Sequence, residues 1–427
     1  MEDVIVVGAG PTGLWLAAEL RRAEVPVLVL DRAEAPDQRS RALTVHPRMI
    51  EMLAMRGMEK PFLDEGYTLP LGHFAQLDTW LDFRPLPTRH PYTLIFPQAR
   101  TEELLQERAI ELGARVRRGH AVTGLRQDGE AVELSVTGPE GPYAVRARWV
   151  VGCDGAGSTV RQAAGIPFPG TDATVYGFLG DVRLDDPPPP DQRSVHTRDG
   201  ALMFGALPGG YHRIVGIVPE QPDGPGTEPT LEELRAKVVR VLGRDLGMRD
   251  PKWLSRFGNA TRQAETYRAG RVLLAGDAAH MHFPTGGVGL NLGVQDAMNL
   301  AWRLAAVVHG RAPEALLDGY HAERHPVAAA LLESSKAQTA LMTAFTPEGQ
   351  ALRALFARLL ADHPALSLDL ATRLTSLDVA YPPADPGAHP LTGARVPDLP
   401  LRDGRTVFTL LHDARHVLLD LGAGAGA

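Results

Sequence analysis

The chain opens on a short unbroken apolar run, Val4-Ile5-Val6-Val7, and a second follows at Val27-Leu28-Val29-Leu30. Apolar runs of this length without alternation mark strands buried on both faces of a parallel sheet. Between them Leu14, Ala17, Ala18 and Leu20 recur at helical spacing, with Arg21 and Arg22 at the polar end. The pattern predicts strand, helix, strand. Two further apolar runs, through Val150-Val151 and through Val272-Leu273-Leu274, each lead into a glycine-containing turn. A helix is predicted from about Asn291 to Val308 after the second of these turns. Tyr211 to Val218 alternates apolar and polar positions, as a half-buried strand does, and Leu231 to Leu242 reads as a helix. Region 171–260 therefore reads as a mixed sheet covering a pocket. Residues 320 to 378 are strongly helical, including Leu352 to Leu360. Interleaved strands and helices place the chain in the α/β class.

With 427 residues, two or three domains are expected from about 150 residues each. The formal net charge of −7 argues against a general grip on nucleic acid or on anionic lipid. A single cysteine, Cys153, excludes an intrachain disulfide and a Cys-based zinc site. It is expected to be a small buried apolar residue in a strand. A reducing cytoplasm suits such a chain. The acidic start Met1-Glu2-Asp3 lacks the basic flank of a secretory signal. Gly8, Gly10, Pro11 and Gly13 interrupt the stretch from Val4 to Leu20, so it reads poorly as a membrane span.

Those glycines have chemical uses. In a strand–turn–helix unit, Gly8 permits the tight turn, Gly10 lets a pyrophosphate approach the backbone, and Gly13 lets helix and strand pack closely. The helix N-terminus offers unpaired N–H groups and the positive end of a dipole. Asp31, ending the second strand, suits ribose hydroxyls and disfavours a 2′-phosphate. Strand, glycines, helix, strand and acid all fall in order, which points to a dinucleotide site.

The second motif is Gly152-Cys153-Asp154-Gly155, with Ser158 or Thr159 placed to start a helix. The third is Ala275-Gly276-Asp277-Ala278-Ala279-His280, followed by Phe283-Pro284-Thr285-Gly286-Gly287-Val288-Gly289-Leu290-Asn291. Its glycines permit close backbone approach to a flat ligand. The helix N-terminus there would stabilise negative charge on such a ligand's edge. His280 and His282 have no third ligand nearby in sequence, so no metal is expected; packing and loop hydrogen bonds are.

Taken together, the three motifs resemble those of the class A FAD-dependent aromatic hydroxylases, which share the para-hydroxybenzoate hydroxylase fold. Arg39 to Arg48, Phe96 to Glu102 and Gly177 to Val182 resemble the branch of polyketide hydroxylases and rifampicin monooxygenases. The resemblance spans about residues 1 to 385. It implies a Rossmann-like FAD-binding domain (GR2-type) at 1–70, 96–170 and 260–330, with an interleaved mixed-sheet substrate domain at 71–95 and 171–259. A helical region is implied at 331–385, and 390–427 resembles part of a thioredoxin-like C-terminal region, cut short or remnant.

The resemblance also implies residue roles. Gly8, Gly10 and Gly13 would hold the FAD pyrophosphate, Asp31 the adenosine ribose, and Arg32 would lie along the adenine. Gln98 would reach the ribityl or flavin region and Asp277 the ribityl–pyrophosphate stretch. The backbone at Gly289, Leu290 and Asn291 would face the flavin ring. Arg41 would help place the cofactor over the catalytic face, which Phe283 and Pro284 would line. Arg100 is a candidate FAD contact or a local cap. Asp154 is associated with FAD and NADPH recognition, with Arg161 as its simplest partner. Arg213 would touch substrate or flavin, or else form a sheet-edge salt bridge.

The implied reaction is NAD(P)H-dependent monooxygenation. NADPH or NADH binds transiently, O2 gives a flavin C4a-hydroperoxide, and an OH passes to a bulky, polyketide-like aromatic small molecule. Baeyer–Villiger oxygenation on the same scaffold, a reductase or dehydrogenase without oxygen insertion, and a non-catalytic flavin-binding protein are the alternatives. No catalytic base is evident, and the chain is expected to be a monomer or homodimer.

Overall fold

A computed structural model describes residues 1–220, 228–383, 385 and 387–419; the tail from 420 to 427, including Gly422 to Ala427, lies outside the described residues. Strand β1 (Glu2–Val7), helix α1 (Pro11–Arg22) and strand β2 (Val27–Asp31) form the opening unit. Helix α2 (Gln98–Glu111) leads to β3 (Arg115–Arg118). Two antiparallel strands, β4 (Ala121–Gln127) and β5 (Val132–Gly138), then lead into the long β6 (Gly141–Gly152). The middle region holds β7 (Tyr176–Leu184), β8 (Ser194–Thr197), β9 (Gly200–Leu207), β10 (Tyr211–Ile217), helix α3 (Leu231–Leu242) and β11 (Met248–Gly258). The chain returns to the first sheet with β12 (Val272–Leu274) and helix α4 (Gly289–Val308). Helices α5 (Asp318–Met342), α6 (Pro347–Asp362) and α7 (Pro364–Leu374) follow.

The first sheet runs β12-β6-β1-β2-β3, all parallel, with β5 and β4 attached antiparallel beside β6. Val4, Ile5 and Val6 are wholly buried, as are Val29 and Leu30. These strands are buried on both faces, which is why they carry apolar runs rather than alternation. Trp15 on α1 and Trp149 on β6 are among the largest buried side chains of the same core.

The second sheet runs β8-β9-β10-β7-β11 and every pairing in it is antiparallel, not mixed as expected. The connections explain this. Only Arg198-Asp199 separates β8 from β9, and only Pro208 to Gly210 separates β9 from β10. Links this short cannot carry a parallel crossover. Helix α3 covers one face, with Leu234, Val238 and Val241 packed on Phe178, Val182, Leu202 and Ile214. Its start has a reciprocal capping box between Thr230 and Glu233, and Gly243 closes its end at φ +76°.

A third apolar cluster joins these layers. Phe74, Ala75, Leu77, Leu81 and Phe83 pack with Ile217, Phe283, Val288, Met342, Leu360 and Leu374. Within it lies a tight turn in which Leu77 N–H donates to the Phe74 carbonyl at 3.0 Å. Its two central residues, Ala75 and Gln76, have φ of +52° and +51°. A type I′ turn of this kind favours Gly or Asn at both positions. For other residues the left-handed region costs about 1–2 kcal/mol each.

Residues after α7 lie along the outside of Pro47–Ala54, the helix that follows the 39–46 loop. Arg395 donates to Glu51 and to the Pro87 carbonyl, His412 bonds the Ala54 carbonyl, and Phe408 packs on Ala54 and Met55. Among the described residues no helix is long and apolar enough to cross a membrane.

Candidate functional site

The turn after β1 is as tight as its sequence requires. Gly8 has φ of +106°, and a Cβ there would stand 2.3 Å from the Cys153 carbonyl oxygen; a Cβ on Gly13 would stand 2.0 Å from the Gly8 carbonyl oxygen. Both positions therefore exclude any side chain. Gly10 differs, because a Cβ on it would meet nothing within 4 Å. It is the N-cap of α1, its neighbour Pro11 fills the first helical position, and no side chain caps the helix. The N–H groups of the first turn thus face open space, as an anion site needs.

Asp31 turns back on this loop. One carboxylate oxygen accepts from Ala9 N–H at 2.6 Å and the other from Ala33 N–H at 2.7 Å. A carboxylate has about four lone-pair sites, so two bonds leave room for hydroxyl donors. Arg118 lies 3.9 Å from Asp31, a neighbour that sequence reasoning missed. Arg32 is exposed.

The third motif meets the first directly. Gly276 has φ of +63°, and Thr12 of α1 sits against it: a Cβ on Gly276 would lie 2.7 Å from Thr12 Oγ1, and one on Gly293 of α4 would lie 2.3 Å from the same atom. Helices α1 and α4 therefore interlock through Thr12. In the stretch from Val272 to His280 nearly every residue is buried, but Asp277 is exposed. Helix α4 starts at Gly289 with no side-chain cap. Asn291 is buried and its side chain is spent locally: it accepts from His46 N–H at 2.8 Å and donates to the carbonyls of Thr44 and Gly287 at 3.0 Å each. The backbone of Gly289 and Leu290 is what this end presents.

These bonds stitch the 39–46 loop to the glycine loop. Thr44 Oγ1 donates to the Gly287 carbonyl at 3.0 Å, and His46 Nε2 bonds the Gly286 carbonyl at 2.7 Å. Gln98, at the start of α2, accepts from Ala42 N–H at 3.0 Å and donates to Glu102 at 2.8 Å. Arg41 itself is exposed, and its carbonyl accepts from Arg213 at 3.2 Å. Arg213 is buried on β10, an internal strand, and pairs bidentately with Asp181 of β7 at 2.8 Å on both bonds. The salt bridge anticipated for Arg213 exists, but inside the sheet rather than at its edge, and it docks the Arg41 loop onto that sheet.

Other candidates are engaged in local structure. Arg100 forms a two-bond pair with Glu65 and also reaches Glu103, on the surface. Asp154 accepts from Ser158 Oγ and from Val160 N–H at 3.1 Å, so it caps the short helix Thr159–Ala163. Arg161 does not hydrogen-bond Asp154; it donates to the Ala278 and Ala156 carbonyls at 2.9 Å and so ties the second motif to the third. Cys153 is half-buried just beyond the end of β6 rather than within it, and burial pushes its thiol pKa up. Phe283 is turned inward, 2% exposed and 5.2 Å from the Phe257 ring, whereas Pro284 is exposed. Of this pair, Pro284 is the one the loop presents.

His280 belongs to a network that the sequence did not reveal. Its Nε2 lies 2.6 Å from Asp296 of α4, whose carboxylate also accepts from Gly276 N–H at 3.2 Å and from Arg324 Nε of α5 at 2.8 Å. Asp296 and Arg324 are both 0% exposed. Burial opposes ionisation of Asp296, but Arg324 and His280 outweigh it and hold the carboxyl below its usual range.

Burial dominates at His46 and His73 and lowers each imidazole to a pKa of about 4; the bond to the Gly286 carbonyl opposes it at His46, and the nearby His46 adds to it at His73. An unfolded histidine titrates near 6.5. Between those values the unfolded chain binds more protons, so stability is full above about pH 6.5 and falls as pH drops towards 4. His46, almost wholly buried, is expected to account for about 2–3 kcal/mol of this loss. Melting curves from pH 7.5 to 4.5 test it: His46→Gln, which keeps a donor for Gly286, should flatten the slope, and an unchanged slope refutes the assignment.

Comparison with known proteins agrees with this arrangement. The FAD binding domain family matches residues 1–335. The chain is 49% identical over 434 residues to a 12-dehydrotetracycline 5-monooxygenase/anhydrotetracycline 6-monooxygenase of Streptomyces rimosus, covering 98% of this chain and 85% of that protein. It is 47% identical to a rifampicin monooxygenase of Streptomyces venezuelae, covering 98% and 87%. The solved anhydrotetracycline hydroxylase of Streptomyces rimosus superposes with a TM-score of 0.89 at 49% identity, covering 97% and 84%. With two uncapped helix ends locked together by Thr12 and an open glycine between them, the chain belongs to the FAD binding domain family, as an FAD-dependent monooxygenase of the class A aromatic hydroxylase type.

Proposed function

We propose that this protein is a cytoplasmic NAD(P)H-dependent enzyme that hydroxylates a bulky, multi-ring aromatic compound of polyketide type. The observation that carries the reading is the interlock of α1, the Gly276–Asp277 turn and α4 around Thr12, which brings two uncapped helix N-termini close together. FAD fits this arrangement: the open backbone at Gly10 suits a pyrophosphate, and the start of α4 suits an electron-rich ring edge.

In this reading Gly8, Gly10 and Gly13 hold the pyrophosphate, and Asp31 takes the adenosine ribose with Arg32 beside the adenine. Asp277 meets the ribityl chain, and the backbone of Gly289, Leu290 and Asn291 faces the ring. Gln98 fixes the Arg41 loop rather than acting at a distance from it. Residues 1–70, 96–170 and 260–330 form the cofactor domain, and 71–95 with 171–259 cover the substrate. When bound, FAD supplies electron transfer from NAD(P)H to O2 and delivery of one oxygen atom to the ring. The protein's part is to orient the aromatic compound and exclude water. The aromatic groups of the covering layers suit flat rings: Phe74 stacks on Phe356 at 5.9 Å and His196 on Phe345 at 5.2 Å. The relatives named above, a 12-dehydrotetracycline/anhydrotetracycline monooxygenase and a rifampicin monooxygenase, support the substrate class.

The test uses purified holoenzyme, with NADPH or NADH, O2 uptake and a panel of polycyclic phenols and quinones. Phenol-stimulated uptake and a product heavier by one oxygen are expected. A ring-opened or lactone product would assign Baeyer–Villiger chemistry instead, and NADPH oxidation without any oxygenated product would leave a reductase.

A further inference from the structure

A glycine inside a strand weakens it, and marks a bulge, a close approach of the chain to itself, or a place where a ligand comes near. Three glycines of the second sheet show the close approach. A Cβ would stand 2.5 Å from the Phe257 ring at Gly177, 2.3 Å from the Leu234 side chain at Gly180, and 2.4 Å from the Phe178 ring at Gly216. Gly205 of β9 differs. Its strand pairs with β10 in unbroken register, so there is no bulge. Its backbone is not left-handed, so no turn requires it. A Cβ on it would meet nothing within 4 Å, and the residue is half-buried, so a solute can reach that space.

The space lies on the cofactor side of the sheet. Residues paired across strands point to the same face, and the row through Gly205 is Arg213 of β10, Asp181 of β7 and Trp253 of β11. Arg213 donates to the Arg41 carbonyl, so this face looks at the Arg41 loop. The adjacent row, with Phe204 and Ile214, packs on α3 instead. Two residues along the cofactor face, Met203 and Val215 are half-buried and join none of the apolar clusters. Two further along, Ile217 and Phe257 close on Phe283, beside Pro284. An apolar strip therefore runs from the Pro284 loop to Gly205. Ala201 to Gly205 covers about 13 Å of it at about 3.3 Å per residue, more than a two-ring compound spans. Arg213 and Asp181 are spent on each other, so the far end of the strip selects by shape rather than charge.

We propose that Gly205 is a specificity-determining residue: the room left by its missing side chain receives the distal ring of a fused multi-ring aromatic substrate whose reacting ring lies at Pro284. The proposal rests on the substrate class given above.

The experiment compares wild-type holoenzyme with Gly205→Ala and Gly205→Leu. Kd is read from flavin fluorescence for 1-naphthol, 1,8-dihydroxyanthraquinone and anhydrotetracycline, a series of increasing ring number. Melting temperature is read without them. Both variants should melt at or above wild type, because a strand glycine is replaced and no contact is displaced. Gly205→Leu should bind anhydrotetracycline at least about tenfold more weakly and 1-naphthol within about twofold of wild type, with Gly205→Ala between them. A lower melting temperature shows that the space is filled by the chain and overturns the proposal. So does a loss that fails to grow with ring number. If wild type binds none of the three compounds, the polyketide reading itself falls and takes the proposal with it; if wild type binds them and the variants match it, only the role of Gly205 falls.

Discussion

Gly10→Asp should abolish useful FAD binding while making the empty protein slightly more stable. The two effects have opposite signs because they act on different states. Gly10 has φ −82° and ψ −178°, ordinary extended backbone open to any residue, and a Cβ there meets nothing within 4 Å. An aspartate at this N-cap can accept from the free N–H groups of α1, worth about a few tenths of a kcal/mol over the glycine it replaces. Those same N–H groups are the ones a pyrophosphate needs, and the new carboxylate adds like charge beside it. FAD affinity should fall at least about 100-fold, equivalent to roughly 2.7 kcal/mol. Measuring the melting temperature of the apoprotein and the FAD Kd on the same preparations checks both signs. Unchanged affinity would remove the pyrophosphate from this turn.

Asp296→Ala should be the most damaging single change outside the glycines. It leaves Arg324 wholly buried with its carboxylate partner gone, and it strands Gly276 N–H and His280 Nε2 as well. Breaking a buried pair on one side costs about 3–5 kcal/mol, because the remaining charge has no compensation. Replacing both partners, as Asp296→Asn with Arg324→Met, should recover much of that loss. Chemical denaturation of the three proteins decides it: if the double variant is no more stable than Asp296→Ala, the stranded charge is not the cause.

The opening unit was legible because its signals are local. Val4 to Val7 and Val27 to Leu30 are buried on both faces, so nothing in them needs to alternate, and Gly8 and Gly13 stand where the backbone itself fills the space. The helix Leu231–Leu242 was legible to the residue because Thr230 and Gly243 mark its ends. What escaped notice depends on partners far apart in the chain. Asp296 and Arg324 are 28 residues apart on two helices, and no periodicity in either announces the pair. Arg213 was visible as a charge on an apolar strand, but its partner Asp181 is fixed only by the strand order. The Ala75–Gln76 turn lacks every residue that ordinarily signals a type I′ turn, since packing by Arg353 and Gln338 replaces the local preference. The middle sheet was misread as mixed because alternation reports burial and is silent about strand direction.

The interlock of Thr12 between Gly276 and Gly293 also sets a timetable for the protein's own synthesis. Thr12 leaves the ribosome early, yet both glycines that clasp it lie more than 260 residues later, and β12 joins the first sheet only then. At about 5–20 residues per second, the opening strand–helix–strand waits on the order of tens of seconds for its partners. During that interval the glycine turn exists without the second helix end, so a half-made chain cannot hold the cofactor firmly. Firm loading of FAD therefore awaits the chain beyond residue 293.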